Sequence, residues 1–246
     1  MTLKELNIIN FKNIAEATLT FTSGFNCFVG NNGVGKTNVL DAIYHLSMCK
    51  SYFNLPDLQN IRHEEPFFVV QGKYERGGEE LTVYCGVKRG QKKVFKKNQK
   101  AYDKLSEHIG LIPLVMISPE DFILIDGGSE ERRKLVDGII SQCDRVYLHR
   151  LIRYNKALTQ RNMLLKSAAG KFLDPEMLEV WNEQLAEHGE AIRQKRIAFL
   201  KEFRSVFQTY YERLSLGREE VCLEYKPSVK EGNFLTALKQ AADRDR

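Results

Sequence analysis

The residues best suited to chemistry in this chain are Gly30-Asn31-Asn32-Gly33-Val34-Gly35-Lys36-Thr37. They fit the pattern G-x-x-x-x-G-K-[ST], in which glycines let backbone N–H groups turn inward around a row of phosphates. A lysine placed like Lys36 reaches the β- and γ-phosphates, and a hydroxyl placed like Thr37 ligates Mg²⁺. The start of a following helix would add its partial positive charge. The bland alternative is a Gly-rich turn with an incidental lysine. It lacks the context expected here, a short apolar strand at Phe25–Val29 running into the loop and an amphipathic helix over Thr37–Cys49 leaving it. These eight residues are the candidate nucleotide site, and Thr37 is the candidate metal ligand.

The elements that must position this loop read as α/β over the first 120 or so residues. Leu3–Ile9 and Ala17–Phe21 alternate as strands. Phe67–Tyr74, Leu81–Lys88 and Lys92–Lys97 form an expected meander with turns at Gly77-Gly78 and Gly90, and Leu111–Ile117 is a further apolar strand stopped by Ser118-Pro119. From Ser129 the period changes. Leu148, Leu151, Tyr154, Leu158 and Leu165 fall at helical spacing, as do Leu178, Trp181, Leu185, Ile192, Phe199, Phe203, Val206, Tyr210 and Leu214. Asp174-Pro175 reads as an N-cap followed by proline at the first helical position, so two long helices joined through Gly170 are expected. Val221–Tyr225 is strand-like, and Asn233–Arg246 a charged terminal helix.

Composition excludes several classes. With 246 residues, 28% charged and 43% hydrophobic, the chain is neither disordered nor collagenous. Its apolar runs are strand-sized, far below the ~20 residues of a membrane-spanning helix. Five scattered cysteines with no Cys-x-x-Cys pair argue for a reducing, cytoplasmic setting, and the five histidines show no metal-ligand spacing. The net charge of +5 is uneven, because residues 88–104 alone carry eight Lys/Arg against one Asp. Lys88, Arg89, Lys92, Lys93, Lys96, Lys97 and Lys100 are therefore candidate DNA contacts. The alternative is a solvated edge strand that uses lysines to discourage edge-to-edge pairing.

The text around the loop narrows the class. Leu6-Asn7-Ile8-Ile9-Asn10-Phe11-Lys12-Asn13-Ile14, Thr18–Phe21, Gly24-Phe25-Asn26 and GNNGVGKTNVLDAI together resemble the start of ABC-type ATPase heads of the SMC/Rad50/RecF class. Ile117-Ser118-Pro119-Glu120-Asp121-Phe122, Gly127-Gly128-Ser129, Glu131-Arg132-Arg133 and Leu135-Val136-Asp137 resemble the segment that marks the RecF branch, and the likeness runs from residue 1 to at least Lys166. The resemblance implies an ABC-type P-loop head, with a mixed sheet, an antiparallel meander and an inserted helical arm. Its lobe I would be 1–124 and its helical lobe II 125–215, with 216–246 returning to lobe I. It implies ATP and Mg²⁺ as cofactors, an ATP-dependent homodimer, binding to DNA at gaps and single-strand/double-strand junctions, and work with RecR and RecO in loading RecA.

The chain departs from that pattern in places. The Ser-x-Arg-Thr-like stretch usual after the loop helix reads Lys50-Ser51-Tyr52-Phe53-Asn54-Leu55, without its arginine, and the counterpart of the γ-phosphate-sensing glutamine near Ser118–Asp121 has no Gln. Phe122-Ile123-Leu124-Ile125-Asp126 imitates a Walker B strand but is followed by Gly127 where a catalytic Glu would stand. No Ser-Gly-Gly-Gln-like signature loop occurs after Leu55. The expectation is an N-terminal fragment that binds nucleotide and hydrolyses it poorly or not at all, with its catalytic residues unassigned. Weighed against an ATP-dependent repair clamp are a nucleotide-gated DNA-binding module, the nucleotide-binding subunit of another ABC-type ATPase such as a transporter, and a small-molecule kinase using Arg132-Arg133 as a lid.

Overall fold

The computed structural model describes residues 1–168, 175–227, 229 and 234–241. It divides into two compact units, 1–126 and 127–246. The first is built on a six-stranded antiparallel sheet of order β2-β1-β3-β4-β5-β6, made of β1 (Thr2–Phe11), β2 (Ile14–Thr20), β3 (Phe67–Arg76), β4 (Glu79–Lys88), β5 (Val94–Lys97) and β6 (Lys100–Ala101). Alternation explains the faces: Leu6 and Ile8 of β1, Phe68 and Val70 of β3, Val83 and Cys85 of β4 and Phe95 of β5 all point to one buried side. Helix α1 (Lys36–Met48) lies across that side through Val39, Ala42 and Leu46. The approach is close at Gly72, where a Cβ would stand 2.8 Å from a Leu46 methyl. Beside it, buried His108 donates from Nε2 to the Leu46 carbonyl at 2.7 Å and accepts from the Tyr102 hydroxyl at Nδ1. Burial lowers its pKa.

Two expected strands do not form. Residues 25–29 and 111–117 form no strand and have no ladder partner among the described residues, and Phe25 and Val29 stand 102% and 94% exposed. An apolar run encodes the propensity of a strand, whereas the strand itself requires a neighbour to hydrogen-bond. The sheet is accordingly antiparallel throughout the described residues. The Walker B look-alike is not a strand either: Pro119–Phe122 is a 3-10 turn with a Ser118/Asp121 capping box, continued by α2 (Ile123–Asp126).

The second unit consists of α3 (Ser129–Cys143), α4 (Arg145–Ser167), α5 (Pro175–Ser215) and α6 (Phe234–Ala241). Asp144 caps α4 by accepting from the Tyr147 amide at 3.0 Å. The antiparallel α4/α5 pair closes over Leu165, Ala168 and Leu178 at one end, and over Tyr147 and Ile192 with Ile140 of α3 at the other. The expected helical stripe is buried or half-buried as far as Phe203; beyond it Val206, Tyr210 and Leu214 are exposed. α6 packs on α5, where the Phe234 ring fills the space left by Gly189. The described part of 216–246 groups with the helices of the second unit, and 221–225 forms no strand. Gly170, Asp174 and residues 242–246 lie outside the described residues.

Candidate nucleotide site

The loop 30–37 joins the segment 25–29 to α1. Gly33 (φ 83°) and Gly35 (φ 106°) occupy the left-handed region that favours glycine, and Gly35 is the N-cap of α1. The fold supplies a second reason for Gly35. A Cβ there would lie 2.8 Å from the side-chain oxygen of Asn13. Asn13 reaches the loop from the tight β1–β2 turn, donates to the Gly33 carbonyl at 2.6 Å and accepts from the Asn38 amide at 2.7 Å. It therefore ties the crest of the loop to the first turn of the helix.

The ammonium of Lys36 lies across the loop, donating to the carbonyls of Gly30 and Asn31 at 2.8 Å each. Thr37 is exposed in the first turn of α1, and that turn carries no acidic residue to oppose an anion. Asn31, Asn32 and Val34 are exposed on the same loop. All eight predicted residues are thus brought together as a cationic cradle at a helix N-terminus. Beside it lies a hollow of about 520 Å³ whose lining includes Ile14, Ala17, Phe28, Val34 and Lys36. Apolar walls next to a phosphate cradle can seat a flat ring beside its phosphates.

Beneath the cradle sits a network that the sequence reading missed. Asp41 of α1 is fully buried. It receives Lys12 Nζ at 2.6 Å, the Ser51 hydroxyl at 2.8 Å and the Tyr52 amide at 2.7 Å. Lys12 also stands 4.7 Å from the Phe53 ring centre. The Tyr52 hydroxyl donates to Asp121, whose other oxygen accepts from the Ser118 amide at 2.7 Å. Burial and the Asp121 carboxylate raise the Tyr52 pKa. The two segments that departed from the family pattern, 50–55 and 118–121, are therefore joined to each other. No local signal marked it: at 100° per residue Asp41 falls off the stripe of Val39, Ala42 and Leu46.

The basic cluster is not one surface. Lys93 points inward: its ammonium donates to the Cys49 carbonyl at 2.8 Å and pairs with Asp57 at 2.7 Å. Burial alone would raise the Asp57 pKa, but hydrogen bonds from His45 and Lys93 hold it below the usual value. Arg89 donates to the Glu65 carbonyl at 3.3 Å. Lys88 and Lys92 remain exposed around the β4–β5 connection, and Lys97 and Lys100 are exposed on the edge hairpin. Lys96 lies over the Tyr84 ring.

Residues 1–229 match a family model described as an AAA ATPase domain. The chain is 53% identical, over its whole length, to the DNA replication and repair protein RecF of Phocaeicola vulgatus and 49% identical to that of Flavobacterium johnsoniae, of which it covers 66% and 69%. It thus spans about two thirds of the length of these curated relatives. Among solved structures it is similar to the recombination mediator protein RecF-ATPrS of the RecFOR pathway, with a TM-score of 0.88 at 30% identity, over 99% of this chain and 69% of that one. Loop, sheet, helical unit and sequence agree, and the chain belongs to the RecF family of DNA replication and repair proteins.

Proposed function

We propose that this chain binds Mg-ATP in the cradle 30–37 and, in that state, engages DNA at gaps and single-strand/double-strand junctions during replication-linked repair. The observation that carries the reading is the placement of Lys36 across a loop shaped by Gly33 and Gly35 at the N-terminus of α1. Lys36 would hold the β/γ-phosphates and the Thr37 hydroxyl the Mg²⁺, which neutralises charge between those phosphates. The residues fit such a group: a cation and a hydroxyl stand at the start of a helix whose first turn carries no carboxylate. The adjoining hollow would take the base.

Binding, rather than turnover, is the activity proposed for these 246 residues, because Asp126 ends a helical turn and not a strand. Dimerisation around ATP, cooperation with RecO and RecR in loading RecA, a cytoplasmic site of action, and division into lobes near residue 125 belong to the same reading. So does contact of the exposed lysines Lys88, Lys92, Lys97 and Lys100 with DNA. Titration with a fluorescent ATP analogue and Mg²⁺ tests the core of it. Lys36→Ala should weaken binding at least about tenfold, the scale of one charge-assisted contact to a phosphate. Equal affinity in a folded variant would remove the cradle from the proposal.

A further inference from the structure

Among the described helices, α4 carries the largest excess of cations. Across its 23 residues it carries Arg145, Arg150, Arg153, Lys156, Arg161 and Lys166 and no Asp or Glu. Only Arg161 is buried, with its Nε donating to Asn182 of α5 at 2.8 Å. Arg145, Arg153, Lys156 and Lys166 are exposed, and none of these four has a salt-bridge partner among the described residues.

Position on the helix gathers them. Tyr147, Ala157, Arg161 and Leu165 mark the buried side. At 100° per residue, Arg145 and Lys156 fall on the opposite side, about 16.5 Å apart along the axis, and Arg153 lies on its flank, about 4.5 Å along the axis from Lys156. Neighbouring helices treat their surface charges differently. In α3, Lys134 pairs with Glu130 and Glu131, and in α5, Lys195 pairs with Asp144. The first 16 residues of α5 hold five glutamates and no Lys or Arg. Like charges three residues apart, as at Arg150, Arg153 and Lys156, cost a helix a few tenths of a kcal/mol per pair. An approaching polyanion turns that cost into attraction and releases the polyanion's counterions.

We propose that the outward face of α4, centred on Arg145, Arg153 and Lys156, is a nucleic-acid-binding surface that contacts the phosphate backbone of DNA. It rests on the nucleic-acid reading above, and it is separate from the β-hairpin lysines: these residues lie on one helix of the helical unit, far in sequence from the run at 88–104. Recognition is of phosphate and not of bases. The surface offers cations on flexible stems and, among those outward residues, no aromatic platform.

The test is a salt titration. Affinity of the chain for a labelled oligonucleotide with a single-strand/double-strand junction is measured between low and moderate NaCl, for the parent and for Arg145→Gln/Arg153→Gln/Lys156→Gln. Glutamine is a good helix former, so α4 should persist, and far-UV circular dichroism checks it. The expected result is at least about tenfold weaker binding at low salt and a log–log salt slope smaller by about 2 to 3, one counterion step per lost phosphate contact. Lys156→Gln alone should lower the slope by about 1. A parent-like slope in the folded triple variant overturns the proposal. Loss of salt-dependent binding only in Lys97→Gln/Lys100→Gln would overturn it while leaving the nucleic-acid reading intact. If the parent itself shows no salt-dependent binding, both fall.

Discussion

The two units bury charge for different ends. In 1–126 a fully buried carboxylate, Asp41, joins the β1–β2 turn, the loop helix and the segment after it. In 127–246 the buried charges lie between helices: Arg196 makes two hydrogen bonds to Asp137 at 2.7 and 2.6 Å, and Tyr147 donates to the same carboxylate. Arg161 and Asn182 repeat the theme between α4 and α5. Both arrangements cost desolvation that a hydrophobic contact would not. The first ties the helix that follows the loop to the segments before and after it, whereas the second ties one helix to another.

The sharpest way to break that comparison is to remove each carboxylate in turn. Asp41→Ala leaves Lys12 almost buried without its partner and strands the Ser51 hydroxyl; Asp137→Ala does the same to Arg196. Each should cost roughly 3–5 kcal/mol of stability, read from denaturant unfolding of the unit concerned. The contrast lies in ligand binding. Asp41→Ala should also weaken the ATP analogue severalfold or more, and Asp137→Ala should leave its affinity at the parent value. Equal effects of the two on nucleotide binding would show that the network beneath the loop has no special tie to it.

How much of this was legible depended on whether the information was local. The loop 30–37 is a contiguous code, and the meander announced itself through alternation and Gly77-Gly78. Asp41 could not be read as a node, because its partners come from positions 12, 51 and 52, and Tyr52 is in turn tied to 121. Residues 25–29 and 111–117 read as strands since apolar runs are all that sequence shows of a strand. The lysine run at 88–104 drew attention as a run although Lys93 turns inward. The basic face of α4 went unread because helical spacing dilutes it along the chain.

A smaller effect separates the sheet core from the carboxylates. The His108 pKa is lowered from 6.5 by burial, so the native state binds fewer protons than the unfolded one and stability rises with pH across that window. It is fully present above about pH 6.5 and drains away as pH falls toward the lowered native value. Asp57 and Asp144 have pKa values held below 3.8, so their losses come at lower pH. Thermal unfolding between pH 7.5 and 5 should therefore show a decline of at most about 1.4 kcal/mol per pH unit from this one proton. His108→Gln, which can still donate to the Leu46 carbonyl, should flatten it. An unchanged slope would place the acid sensitivity elsewhere.

The smallest expected effect tests the clamp on the loop itself. Asn13→Ala removes the bond to the Gly33 carbonyl and the acceptor for Asn38, both on an exposed surface where water can replace them. Folding stability should therefore change by less than about 1 kcal/mol. Nucleotide affinity should fall more than stability does, because the loop must then be ordered by the ligand, at an entropic cost that Asn13 now meets in advance. Asn13→Asp keeps the acceptor for Asn38 and loses the donor to Gly33, so it separates the two halves of the clamp. If the affinity of Asn13→Asp equals that of the parent, the bond to Asn38 is sufficient and the crest of the loop holds its shape through Gly33 and Gly35 alone.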